Sequence, residues 1–214
     1  MSAQPIGIVV LAAGASVRMG EPKQLLRHEG ATLLSRAVRA ALDSQCRPVI
    51  VVLGARVEAL RTEVSGAQTQ VVINQEWAEG MGASIRCGLR ALEAATLGRA
   101  AAVVLMLCVQ PFVTGEVINR LLATYHSKRP LLVASAYEAD KERVLGAPAL
   151  FSRALFSELM NLHGPEGAKR IIRRHASEAA MIAAPEAAFD VDTPEDYRSL
   201  KRSVADRPET VGPD

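Results

Sequence analysis

Two stretches of this 214-residue chain gather residue types suited to anionic ligands, and a third gathers carboxylates suited to a cation. The first is Leu11-Ala12-Ala13-Gly14-Ala15-Ser16-Val17-Arg18-Met19-Gly20-Glu21-Pro22-Lys23. Its small residues let backbone N–H groups approach a phosphate closely, and Arg18 and Lys23 bring two cations to the same loop. It is not a Walker A loop, because Lys23 does not follow a glycine and no Ser or Thr follows Lys23, and it carries no GxGxxG dinucleotide fingerprint. The second stretch, Asn74 to Leu89, sets Gly80 and Gly82 at the start of a helical pattern, where a ligand can come close to free N–H groups. In the third, Asp190 and Asp192 alternate and so share one face of an extended segment, where both can approach one ion. Either acid can instead support the helix start signalled by Thr193 and Pro194.

Such loops need a scaffold that delivers them to one edge. The apolar run 6–13 breaks at Gly14, as a strand buried on both faces does when a turn ends it. Further buried strands are read at 48–53, 70–73, 101–107, 131–136 and 179–183, and helices at 32–42, 56–64, 83–94, 115–126, 152–162, 168–175 and 194–204. A loop or hairpin tip is expected at 138–143. Strands alternating with helices imply right-handed βαβ units and a mostly parallel sheet. The first loop then leaves the carboxyl end of the first strand, where open α/β sheets bind their ligands.

The first stretch, continued by Gln24-Leu25-Leu26, resembles the signature LAAGxSxRMGxxKxLL of the nucleotidyltransferases that activate molybdopterin. The resemblance runs from about residue 6 to 200 and implies a three-layer α/β/α Rossmann-like fold of the nucleotide-diphospho-sugar transferase type. It implies that Ala12, Ala13, Gly14, Ser16, Arg18 and Lys23 wrap a nucleotide triphosphate, with Arg18 and Lys23 stabilising charge during transfer. The second stretch is similar to NxxWxxGMGxSIxxGL, which implies base and ribose contacts from Gly80, Met81 and Ser84 with Asn74 in support. The Ala12-Ala13 pair is more similar to the cytidylyl than to the guanylyl members, which implies CTP. Gln110 and Pro111, with Gly146 and Pro148 of a GxPxLF-like segment, fall where the family places its acceptor, molybdopterin or molybdenum cofactor. The segment Asp190-Val191-Asp192-Thr193-Pro194-Glu195-Asp196-Tyr197 resembles DxDTPEDY, which implies Asp192 and Asp190 as ligands of Mg²⁺. The chain departs from the family at Val109, where LCDQP carries a metal-binding aspartate, and more mildly at Pro165, where GDxGA carries an aspartate. Valine offers no oxygen to a hard cation. The family also suggests delivery of the product to a molybdoenzyme of the xanthine dehydrogenase type.

Composition fits one domain over 1–204 followed by a disordered tail at 205–214. Hydrophobic residues make up 49% and charged residues 22%, which is globular composition, while aromatics at 4% leave the core to Ala, Val, Leu and Ile. A net charge of +2 gives no basic excess for nucleic acid. The apolar run 6–13 is shorter than a bilayer span or a signal core, so no membrane role and a cytoplasmic location are expected. Cys46, Cys87 and Cys108 lack disulfide or zinc spacing and read as small apolar residues; Trp77 reads as a packing residue. Three alternatives stand beside the cytidylyltransferase reading. They are a transferase of the same fold using GTP or a sugar phosphate, a nucleotide or cofactor carrier impaired by Val109, and a Rossmann-like oxidoreductase.

Overall fold

The computed structural model of the chain describes residues 4–139, 141–165 and 167–205. In chain order its elements are β1 (Ile6–Leu11), β2 (Arg27–His28), β3 (Ala31–Thr32), α1 (Leu33–Asp43), β4 (Val49–Leu53), α2 (Val57–Arg61), β5 (Gln70–Ile73), α3 (Met81–Ala95), β6 (Ala102–Leu107), α4 (Gly115–Lys128), β7 (Leu132–Ala139), β8 (Glu142–Ser152), α5 (Phe156–Met160), α6 (Lys169–Arg174), β9 (Ala180–Ala183) and α7 (Pro194–Ala205). Seven strands form one sheet in the order β5-β4-β1-β6-β8-β7-β9. β1, β4, β5 and β6 pair in parallel, as does β9 with β7, while β8 runs antiparallel to both β6 and β7.

The central strands are apolar throughout because each faces two cores. Ile8 and Val10 of β1 point to one layer with Val51 and Met106, against α1 and α4; Val9 and Leu11 point to the other with Val52 and Leu105, against α3, α5 and α6. The result is the expected three-layer, mostly parallel α/β/α arrangement. α3 lies directly on the sheet because Gly88 has no side chain: a methyl there would sit 2.4 Å from Val9 Cγ1 and 2.9 Å from Val52 Cγ2.

The largest difference from the sequence reading is β8. Gly146 and Pro148 interrupt the β pattern of residues 142–152, so the strand is not visible as a periodicity, and a helix was expected from 152. Pairing with two neighbours overrides that local signal. Register along β7 jumps from Ala134 opposite Ala149 to Ser135 opposite Gly146, so 147 and 148 bulge out of the ladder, and Glu138 pairs with Arg143 and Ala139 with Glu142 at the end where a loop or hairpin tip was expected. The helix expected at 56–64 is α2 followed by a 3₁₀ turn, Thr62–Val64. The tail expected at 205–214 lies outside the described residues except for Ala205, which ends α7.

Candidate functional site

The loop after β1 is held by Gln24, which is 1% exposed. Its Nε2 donates to the carbonyls of Ala12 (3.0 Å) and Gly14 (2.7 Å), and its Oε1 accepts from Ser16 Oγ (3.1 Å). Ser16 Oγ in turn accepts from the Lys23 N–H at 3.0 Å. With these oxygens turned inward, the backbone N–H groups of Gly14, Ala15, Ser16, Val17 and Arg18 donate to nothing else among the described residues. A row of free N–H groups on a fixed loop is an anion-binding concavity. Gln24 is a site-building residue that sequence reasoning passed over; its only signal was its place in the signature.

Across this loop lies Asp192. Lys23 Nζ donates to Asp192 Oδ1 at 2.5 Å and Arg18 Nη2 to Oδ2 at 2.9 Å. Burial pushes the Asp192 carboxyl up, but the Lys23 hydrogen bond and the charges of Lys23 and Arg18 outweigh it, leaving the group below its usual range. The segment that brings Asp192 is tied down on both sides. Val191 is fully buried and donates its N–H to the Val109 carbonyl at 3.0 Å. The Asp196 carboxylate accepts from the N–H groups of Asp192 (3.0 Å) and Thr193 (2.7 Å), while Thr193 Oγ1 accepts from the Asp196 N–H, a reciprocal cap at the start of α7. Met19, Leu26, Leu33, Val191 and Leu200 form a separate apolar cluster that joins this segment to the first loop.

Asp190 sits deeper. Burial and the neighbouring Asp192 charge raise its carboxyl, against Gln110, Lys169 and Lys23, and its Oδ1 has no hydrogen-bond partner among the described residues. Two carboxylates, one with an unpaired interior oxygen, suit a hard cation that completes its shell with nucleotide phosphates. Val109 supplies nothing to such an ion. It is 6% exposed and packs in the core on the α1 and α4 side, so the position where the resemblance expects an aspartate is sealed with a hydrocarbon.

Asn74 and Ser84 do come together, but face each other. Asn74 Nδ2 donates to Ser84 Oγ (3.1 Å), its Oδ1 accepts from the Glu76 N–H, and both residues are buried, so their polar groups are largely spent on joining β5 to α3. Gly80, at φ +119°, enters α3, and a Cβ there would meet the Gly164 carbonyl at 2.7 Å. Met81 and Trp77 are each more than one-third exposed, and Trp77 packs against Gly54, where a Cβ would lie 2.6 Å from the Trp77 Cβ. Arg86, which the sequence did not single out, is buried, pairs with Glu79 (2.7 Å) and donates to the Leu162 carbonyl. The Arg86 hydrogen bond draws Glu79 down to about 2. This pair fixes the 76–82 loop to 162–164, where Gly82 N–H also donates to Gly164 O at 3.1 Å.

On the other side of the strand ends, Gln110 Nε2 donates to the carbonyls of Ala147 (3.0 Å) and Ala187 (3.1 Å), which fixes the bulge carrying Gly146 and Pro148. Pro111 is buried, and its carbonyl accepts from Arg36 at 3.3 Å. Cys46 and Cys108 behave as the apolar residues expected, with burial pushing both thiols up to about 12. No helix among the described residues is long and apolar enough to cross a membrane.

Residues 8–179 match the family model described as MobA-like NTP transferase domain. Nicotine blue oxidoreductase of Paenarthrobacter nicotinovorans is 31% identical over 200 residues, covering 90% of this chain and 95% of that protein. Purine catabolism protein PucB of Bacillus subtilis (strain 168) is 30% identical over 212 residues, covering 92% and 96%. The crystal structure of Rv0371c from Mycobacterium tuberculosis H37Rv superposes with a TM-score of 0.78 at 32% identity, covering 94% of this chain and 98% of that one. The same mycobacterial protein has a structure described as a complex with manganese, at a TM-score of 0.75, 31% identity and coverage of 93% and 99%.

Proposed function

The chain belongs to the MobA-like NTP transferase family, and on that premise we propose that it transfers CMP from CTP to the terminal phosphate of molybdopterin or molybdenum cofactor. A phosphate oxygen of the acceptor attacks the α-phosphorus of CTP, a new phosphoanhydride forms, and the bond to the β-phosphate breaks to release pyrophosphate. The nucleophile is anionic at neutral pH, so no general base is needed, and positioning with charge neutralisation carries the reaction. The observation that carries this reading is the row of free N–H groups at 14–18 beside Lys23 and Arg18, two cations resting on a carboxylate that a triphosphate can replace.

In the proposed cycle the N–H groups of 14–18 take phosphate oxygens, and Lys23 and Arg18 leave Asp192 for the negative charge that builds on the departing pyrophosphate. Asp192 and Asp190 are the residues that would hold Mg²⁺, which when bound would supply neutralisation of phosphate charge. Gly80, Met81 and Ser84 border the base and ribose, while Gln110, Pro111, Gly146 and Pro148 border the acceptor. Ala13 packs its methyl beside Gly54, 2.8 Å from where a Cβ of that glycine would be. The guanylyl pattern has glycine where this methyl packs, and the likeness to the cytidylyl pattern at this position supports CTP. A cytoplasmic setting within one domain over 1–204, and delivery to a xanthine dehydrogenase-type enzyme, complete the reading; the Bacillus relative's purine-catabolism name agrees with the last.

The test is incubation with molybdopterin, Mg²⁺ and each of CTP, GTP, ATP and UTP, following pyrophosphate release and the mass of the product. Release confined to CTP with a cytidine dinucleotide product is expected. Release with GTP alone overturns the base choice, and release with none overturns the transfer. A parallel arm with NADH and a quinonoid dye addresses the oxidoreductase name of the Paenarthrobacter relative; no NADH oxidation is expected.

A further inference from the structure

Trp77 is the only tryptophan of the chain, and it stands on a turn that is fixed at both ends. Before the turn, Asn74 donates its N–H to the Leu53 carbonyl at 2.8 Å and accepts the Glu76 N–H on Oδ1 at 3.0 Å. After Trp77, both Glu79 oxygens accept from the buried Arg86 of α3, at 3.0 and 2.7 Å. That pairing also neutralises an acid two residues from the tryptophan. The backbone under Trp77 is therefore rigid, yet the residue is 37% exposed. Its ring takes part in no ring or cation contact, and its N–H makes no hydrogen bond, among the described residues.

The place of this residue, more than its exposure, says what covers it. Gly54 directly follows β4, the strand between β1 and β5. A Cβ on Gly54 would lie 2.6 Å from the Trp77 Cβ and 2.8 Å from both the Cβ and the carbonyl oxygen of Ala13. Trp77 from the β5 side and Ala13 from the β1 side thus close over one glycine, which has no side chain to keep them apart. The Ala13 carbonyl is tied to the same corner by the Ala55 N–H at 3.0 Å. Ala13 immediately precedes the free N–H groups of 14–18. A nucleotide whose phosphates take those N–H groups has its base one ribose away from them, and Trp77 is the exposed aromatic at the head of that row.

We propose that the Trp77 indole stacks on the base of the nucleotide whose phosphates the first loop holds. The proposal rests on the nucleotide-binding part of the reading above and gives Trp77 a contact that reading does not contain. Every base has a π face, so stacking on an indole supplies affinity without choosing between CTP and GTP. A phosphate chain without a base gains nothing from it.

The test compares CTP with tripolyphosphate on the wild-type full chain and on Trp77→Leu and Trp77→Phe, with Kd from titration calorimetry. Leucine keeps apolar contact with Gly54 and removes the ring; phenylalanine keeps a smaller ring. The expected result is a Kd for CTP raised about tenfold or more in Trp77→Leu, with Trp77→Phe recovering part of the loss, and a Kd for tripolyphosphate within about twofold in both. The wild-type protein gives a second readout that needs no substitution: CTP should shield the single tryptophan from acrylamide quenching, and tripolyphosphate should not. Equal loss of CTP and tripolyphosphate affinity in Trp77→Leu overturns the proposal, because Trp77 would then act only by shaping the first loop through Gly54 and Ala13. An unchanged Kd for CTP, or a tryptophan that saturating CTP leaves as open to acrylamide as before, overturns it as well, while the transfer reading stands. Trp77-dependent binding of CTP by a protein that transfers no CMP overturns only the transfer reading. Binding of tripolyphosphate but of none of CTP, GTP, ATP and UTP overturns both.

Discussion

Asp192→Asn should tighten nucleotide binding in the absence of metal and weaken it in the presence of metal, a reversal that a merely damaged site does not give. In the free protein both phosphate-binding cations are already engaged: Lys23 Nζ is 2.5 Å and Arg18 Nη2 2.9 Å from the two Asp192 oxygens. A triphosphate must break both contacts. The Lys23 pair is mostly sheltered, its side chains 19% and 34% exposed, whereas Arg18 is 69% exposed. A sheltered charge-assisted pair contributes about 1–1.5 kcal/mol and the solvated Arg18 pair no more than about 0.5. Asparagine keeps the size of the side chain and removes most of that competition, so metal-free Kd for CTP should fall roughly tenfold. Titration calorimetry with CTP in EDTA, and again in Mg²⁺, reads both terms. The wild-type protein should gain affinity from Mg²⁺ and the variant little, because the carboxylate proposed to hold the ion is gone. Weaker CTP binding by Asp192→Asn in EDTA would refute the reasoning, for Asp192 would then be aiding the cations rather than competing for them. Raising salt should shrink the wild-type and variant difference, since all these groups are at least partly solvated.

Lys23→Ala should lose transfer by two or more orders of magnitude with an unchanged far-ultraviolet spectrum, checked by single-turnover pyrophosphate release. Gly88→Ala should destabilise the fold by about 1–3 kcal/mol in denaturant titration, since its methyl meets Val9 and Val52. Val109→Asp should lower the melting temperature without metal and recover part of the loss with Mg²⁺ or Mn²⁺, because a carboxylate placed in that apolar cluster needs a cation beside it. Glu79 has a folded value of about 2 against an ordinary 4.5, so the stability it lends is complete above the ordinary value and is lost as pH falls toward about 2. Glu79→Gln should therefore show a flatter loss of stability than wild type between those limits in denaturant titrations along a pH series.

The layers of the fold were legible because β1, β4 and β6 are apolar at every position, which only a strand covered on both faces requires, and the helices between them carry a 3.6-residue period. β8 was not, since Gly146 and Pro148 break the alternation that marks a strand, and its place is set by β6 and β7 rather than by its own residues. The first loop was legible as an anion site from small residues and two cations, but Gln24 was not: a buried amide that organises a loop looks, in sequence, like any polar residue before Leu25. Asn74 and Ser84 could be read as candidate ligand contacts, but the sequence did not show that their amide and hydroxyl bond to one another instead of facing outward.

The hydrogen bonds from Lys23 and Arg18 to Asp192 span 169 and 174 residues of sequence. Lys23 leaves the ribosome 169 residues ahead of Asp192, so the nascent chain carries this lysine and Arg18 through that whole interval without their counter-ion. Closure comes only when Val191 docks on Val109 and the cluster of Met19, Leu26 and Leu200 assembles. A chain nicked just before residue 190 retains every strand of the sheet yet leaves Lys23 and Arg18 without the carboxylate that holds them, so the intact sheet by itself does not arm this site.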